Sequence, residues 1–185
     1  TRIESSAASD VYKRQPEHQI LLNGADEGIN VIVTSSVKGA ESPSLVLKSI
    51  QTIFPEFDCE IPLTEPSFGK PSQMIFQAEN LSINYFLNLV HKQSILDTTL
   101  DVITANLDNN YTFFEILRQA SIVGKVAYNI PGNLALGGVI KVELVGEDLA
   151  AWIEAATWHK GRDSIPRRVH DDWTMNDDGD AVTWH

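Results

Sequence analysis

The feature that most constrains the fold is a set of short strand-like segments joined by short connections. Residues 73–79 place Met74, Phe76 and Ala78 against Gln73, Gln77 and Glu79. Residues 138–145 place Ile140, Val142 and Leu144 opposite Val139, Lys141 and Glu143. A period of two marks a strand with one buried face. Residues 29–37 are β-branched and bounded by Gly28 and Gly39, a further strand signal. Residues 57–63 (weakened at Pro62), 111–117 and 122–128 complete the predicted strands.

Helix signals fall between them. Ser42 caps a helix with Pro43 in its first turn, Val46, Leu47, Ile50, Ile53 and Phe54 follow at helical spacing, and Pro55 stops it. Asn80 is expected to cap a second helix (Leu81, Tyr85, Phe86, Leu89, Val90). Ser94 is expected to cap a third (Ile95, Leu96, Thr99, Leu100, Ile103), with Asp97 in its first turn. Residues 148–158 close with an amphipathic helix. The order β-α-β-β-α-α-β-β-β-α, with adjacent strands closely connected, predicts an α+β fold: an antiparallel or mixed sheet with helices packed on one face.

The chain has 185 residues, 43% apolar and 21% charged, which is a globular composition. No apolar run reaches the roughly 18 residues of a membrane span, and a cytoplasmic location is expected. Cys59 is the single cysteine, so a disulfide framework or a cysteine zinc site within one chain is excluded. A single domain is expected over 29–162. Residues 1–15 begin with Thr and resemble the adaptor read-through peptide of metagenomic gene predictions; they lack a signal peptide's apolar segment. Residues 16–28 read as a polar linker and 163–185 as an acidic tail carrying Trp173 and Trp184. In that tail Thr174 breaks the spacing of a calcium loop around residues 176–180.

Little in the chain points to catalysis. His18, His91, His159, His170 and His185 show no ligand spacing, and His91 suits the C-terminal end of a helix. Acidic Asp58 and Glu60 beside Cys59 would raise a thiol pKa, which disfavours a nucleophile. No phosphate-binding glycine loop or serine nucleophile elbow occurs. Asp97 and Asp101 share a helix face, as an acid or metal pair or, more simply, as a dipole partner and an exposed position. No catalytic residue, metal or cofactor is expected; an enzyme would need a deep pocket lined by Asp97, Asp101 and a histidine.

The net charge of −11 argues against a generic polyanion binder. The scarce cations nevertheless suggest a positive strip: Lys92, Gln93, Arg118, Gln119 and Lys125, with Lys38 or Lys141 nearby. Arg118 and Lys125 would touch phosphate, and Gln93 and Gln119 would give directional hydrogen bonds. The plainer reading of the same residues is solubility of an exposed face.

Taken together, three stretches carry a resemblance: residues 93–98 (QSILDT), 114–121 (FEILRQAS) and 123–126 (VGKV). With Gly39–Pro43, Ile53-Phe54-Pro55 and a Gly at 137 or 138, their order is similar to that of an uncharacterised archaeal family described as RNA-binding, UPF family two-hundred-and-one. The match runs from about Ile29 to Pro166; Ser94 stands where that family commonly has Arg. The resemblance implies a fold like that of the ribosomal protein that binds five-S rRNA, and a non-catalytic RNA-associated domain. It also implies, as an alternative, the C-terminal part of a fusion to a P-loop nucleotide-kinase-like domain, though this chain has no P-loop. The competing reading is a protein-interaction or regulatory module, docking on such a kinase-like partner or forming a homodimer. It predicts an exposed apolar patch and no coherent positive strip.

Overall fold

The computed structural model describes residues 22–58, 65–67, 69–70, 72–130 and 132–169. Four strands and five helices follow in the order β1 (Asn30–Gly39), α1 (Pro43–Ile53), β2 (Ser72–Ala78), α2 (Asn84–Lys92), α3 (Leu96–Thr104), β3 (Tyr111–Leu117), α4 (Arg118–Ser121), β4 (Val139–Val145) and α5 (Leu149–Ala156). Short 3-10 turns precede and follow them at Ala25–Glu27 and Lys160–Asp163. The strands form one antiparallel sheet in the order β2-β1-β4-β3. This is the expected α+β architecture.

The period-two pattern sets the two faces. Val31, Val33, Val37, Phe76, Phe114, Ile116, Ile140, Val142 and Leu144 are buried, and their sequence neighbours on the strands are more exposed. In register, Val33 of β1 lies between Ala78 of β2 and Val142 of β4, and Val142 in turn faces Phe114 of β3. Against this face α1, α2 and α3 bury Ile50, Ile53, Phe86, Val90, Leu100 and Ile103. A run of rings joins the layers: Phe54 stacks on Phe86 at 6.2 Å, Phe86 meets Phe114 at 5.5 Å, and Phe114 meets Tyr128 at 6.1 Å. Each large buried side chain of this kind contributes about 1.5–3 kcal/mol through burial.

Several local expectations are corrected. Residues 122–128 form no strand. Gly124 turns the chain at φ +71°, and the segment rejoins the sheet only at an isolated bridge between Ile116 and Tyr128. Asn80 does not cap α2; it sits at φ +56° four residues ahead of the helix, and Leu81 and Ile83 between them are buried. Ser94 does not cap α3 either. It adopts φ +57° just past α2, where its N–H bonds the His91 carbonyl and the Ile95 N–H bonds the Val90 carbonyl. That pair of bonds is a Schellman C-cap, which satisfies the last carbonyls of α2. By contrast, Ser42 caps α1 as expected, its Oγ accepting from the Leu45 N–H at 3.4 Å.

Residues 22–28 of the expected linker lie against the domain. Leu22 packs on the core, its carbonyl accepts from the Asn84 side chain at 3.3 Å, and Glu27 accepts from Trp152 Nε1 at 3.4 Å. Of the strand expected over 57–63, only Phe57 and Asp58 are described, and they belong to no strand. Residues 1–21, Cys59, His170, His185 and the possible-calcium run at 176–180 lie outside the described residues.

Candidate functional site

Of the expected strip, Arg118, Gln119 and Lys125 lie in the segment that follows β3 and Gln93 bonds into it, but not all face solvent. The buried positions of β3 are Thr112, Phe114 and Ile116, and the next residue in that alternation is Arg118. Its side chain is therefore carried inward and is only 6% exposed. There Nε donates to the Gly137 carbonyl at 2.7 Å, Nη1 donates to the Ser36 carbonyl at 3.1 Å, and Nη2 pairs with Glu41 Oε1 at 2.5 Å. Gly138 accommodates the guanidinium: a Cβ at that position would lie 1.8 Å from Nη2. Arg118 joins α4, β1 and the 137–138 turn from within, so the phosphate contact expected of it is replaced by a structural role.

Gln93 is also engaged internally. Its Nε2 donates to the Val126 carbonyl at 2.9 Å, and its Oε1 accepts from the Val126 N–H at 2.8 Å. Both halves of the amide are thus used on one backbone unit, pinning the 124–126 turn to the end of α2. The directional contacts assigned to this side chain are directed to the protein itself. Lys92 and Lys125, the sequence neighbours of the two clamped residues, are both exposed. Gln119 is exposed and lies over Gly137, where an added Cβ would sit 2.9 Å from its Nε2. Of the two neighbouring cations, Lys141 bonds Glu143 at 2.9 Å and sits 4.9 Å over the Phe113 ring, while Lys38 is exposed and its N–H donates to Glu41. The hydrogen bond to Glu143 holds the Lys141 ammonium above its ordinary pKa.

Beside the Arg118–Glu41 pair runs an open groove of about 260 Å3 between α1 and α4. Leu45, Val46 and Ile122 form its apolar walls, and Glu41, Arg118, Gln119, Gly137 and the two serines Ser42 and Ser49 line the rest. Leu45 and Ile122 remain 58% and 37% exposed, and Val123 next to Ile122 is 70% exposed. On the 130–138 connection Leu134 and Leu136 are 85% and 71% exposed. None of these five residues was expected at a functional site from the sequence. The available signal was an uncharged run: between Arg118 and Lys141 only Lys125 is charged.

Asp97 and Asp101 do meet basic partners. Asp97 accepts from Arg162 Nε at 3.0 Å and lies 3.1 Å from His159 Nε2, while Arg167 donates to Asp101 at 2.7 Å. Burial pulls the Asp97 carboxyl up, but the hydrogen bonds from His159 and Arg162 outweigh it and hold the group below its ordinary value. These contacts clip residues 159–167 to α3. The groove at α1 and a second surface hollow of about 270 Å3, beside Phe113, Glu115 and Asn129, are lined by neither aspartate and by no histidine. Among the described residues no three His, Cys, Asp or Glu side chains converge as metal ligands, and no helix is long and apolar enough to cross a membrane.

This geometry sits on a backbone shared with known proteins. A UPF0201 protein of Methanocaldococcus jannaschii is 28% identical over 120 residues, covering 65% of this chain and 66% of the relative, just under two thirds of its length. Its counterpart in Sulfurisphaera tokodaii is 27% identical, covering 69% of this chain and 86% of the relative. The similar proteins are archaeal UPF0201 proteins. A crystal structure of the UPF0201 protein from Methanococcus jannaschii superposes with a TM-score of 0.55 at 27% identity, covering 70% of this chain and 99% of that one. Another UPF0201 crystal structure superposes at 0.57 with 22% identity, covering 71% of this chain and 95% of that one, a likeness of fold. No family model matches the chain. The UPF0201 likeness agrees with the family whose motifs the sequence resembles.

Proposed function

We propose that this chain is a non-catalytic protein-interaction module whose contact face is the groove between α1 and α4. One observation carries the reading: Leu45, Ile122 and Val123 stay exposed around the groove, while two members of the expected cationic strip, Arg118 and Gln93, are spent on internal bonds. Contiguous exposed apolar surface is uncommon on soluble chains unless it serves recognition. The partner this face suits presents mainly aliphatic side chains, because the groove walls are largely apolar and the Glu41 carboxylate in the lining is already paired with Arg118.

The test is binding of an apolar fluorescent dye to the native protein, with Leu45→Asp and Ile122→Asp as variants. The groove reading expects dye binding that either aspartate reduces, with folding stability kept within about 0.5 kcal/mol, as for surface positions. Dye binding unchanged by both substitutions would count against it.

A second reading, RNA association, draws support from Lys92 and Lys125, both exposed on either side of the Gln93–Val126 clamp. Filter binding to a structured RNA at two salt concentrations tests it. Lys92→Ala with Lys125→Ala should then weaken binding and lower the salt slope by about 1 per lysine. Binding unaffected by the pair would remove them from that account.

A further inference from the structure

The groove reading leaves the partner unnamed, and the same face carries a matching piece. Leu136 immediately precedes Gly137, which lines the groove, and Leu134 lies two residues further back. The chain therefore presents an apolar prong beside an apolar slot. We propose, on the basis of that reading, that the partner is a second copy of this chain. The two copies pair about a twofold axis, with Leu134 and Leu136 of each seated in the other's groove against Leu45 and Ile122. Such an isologous contact uses each complementary pair of surfaces twice.

Charge favours this face over others. Two chains at −11 each repel, so a contact face poor in carboxylates lowers the cost of their approach. Residues 119–140 contain no Asp, Glu or Arg, and Lys125 is their single charged side chain. At the groove floor Arg118 is already neutralised by Glu41. At the mouth of the groove the Glu65 carboxylate accepts from the Ser44 N–H at 3.2 Å, so a closing partner meets that carboxylate only at the rim.

The available area is adequate. Leu45, Ile122, Val123, Leu134 and Leu136 together expose the equivalent of about three whole aliphatic side chains per copy. Over two copies that is on the order of 1,000 Å2, about the apolar share of a standard interface burying roughly 1,600 Å2. Leu134 and Leu136 are far more exposed than folding of one chain requires, and a partner's groove is where that surface would leave water.

Sedimentation velocity from micromolar to hundreds of micromolar protein tests the pairing. The expected species has twice the 20.5 kDa chain mass. Leu134→Asp with Leu136→Asp removes the prong, and Ile122→Asp spoils the slot. Each variant alone should weaken dimerisation by roughly 30-fold or more, the scale of a hot-spot side chain. Mixing the two variants should give a heterodimer tighter than either variant's homodimer, because one of its two contacts, the slot variant's prong in the prong variant's slot, is intact. Unfolding would give no such rescue, and circular dichroism of each variant checks it directly. A wild-type monomer throughout the range overturns the pairing. So does a dimer indifferent to both variants, or the lack of rescue on mixing. If the wild type is monomeric yet the dye still binds in an Ile122-dependent way, only the second copy is refuted and the groove reading stands. Loss of both refutes both.

Discussion

Removing the carboxylate of Glu41 should destabilise the fold more than removing the charge of Arg118. The two partners are unequally buried, at 31% and 6% side-chain exposure. Glu41→Ala leaves a guanidinium enclosed with two backbone carbonyls but no counter-charge, and breaking a buried pair from one side costs about 3–5 kcal/mol. Arg118→Met frees the carboxylate, which can recover water on its exposed side. The loss is then mainly the hydrogen bonds to the Gly137 and Ser36 carbonyls, about 1 kcal/mol each, partly offset by a long apolar side chain of similar reach. That change should cost about 1–2 kcal/mol. The double variant should resemble Arg118→Met, leaving a coupling of about 3–5 kcal/mol between the sites. Urea unfolding followed by circular dichroism gives all four corners of the cycle, on a scale where a domain's whole stability is about 5–15 kcal/mol. If Glu41→Ala falls within about 0.5 kcal/mol of wild type, the pair behaves as an exposed ion pair and the internal role of Arg118 is wrong.

Three further outcomes follow from local structure. Ser94→Gly should raise stability by about 0.5–1 kcal/mol in the same assay, because glycine holds the left-handed C-cap conformation without a Cβ penalty; a loss would contradict the cap assignment. Gln93→Ala should cost about 1–3 kcal/mol, since both bonds to Val126 disappear, and hydrogen exchange at Val126 should quicken with it. Asp97 has its folded pKa depressed, so its ionised form stabilises the fold above the unfolded value near 3.9, and that contribution is lost as pH falls through the folded pKa. Asp97→Asn should flatten the stability profile below about pH 4 while leaving other carboxylates to titrate; an unchanged acid limb would refute its part.

The strands were legible because period-two burial is written directly in residue order. Thr112, Phe114 and Ile116 alternate inward on β3, as do Ile140, Val142 and Leu144 on β4. The start of α1 was legible because Ser42-Pro43 encodes a cap in two residues. Positive-φ positions were not, since Ser94 and Asn80 are equally good N-caps on paper; only tertiary packing decides that each turns the chain instead. The apolar run 122–128 imitated a strand because a run this short cannot be told from a turn by composition. Arg118 was misplaced although a signal existed. Continuing the β3 alternation by one step puts it on the core face, and an arginine there demands a carboxylate, which Glu41 supplies. The groove residues gave no motif, because exposure of Leu134 or Ile122 depends on what the fold leaves uncovered.

Hydrogen exchange at residues 119–138, measured at low and high protein concentration and again with a structured RNA added, tests the central claim most directly. A docking face poor in charge, used between copies, predicts slower exchange there as concentration rises, with no added effect from RNA. Exchange that ignores concentration, but slows around Lys92 and Lys125 when RNA is present, would contradict it.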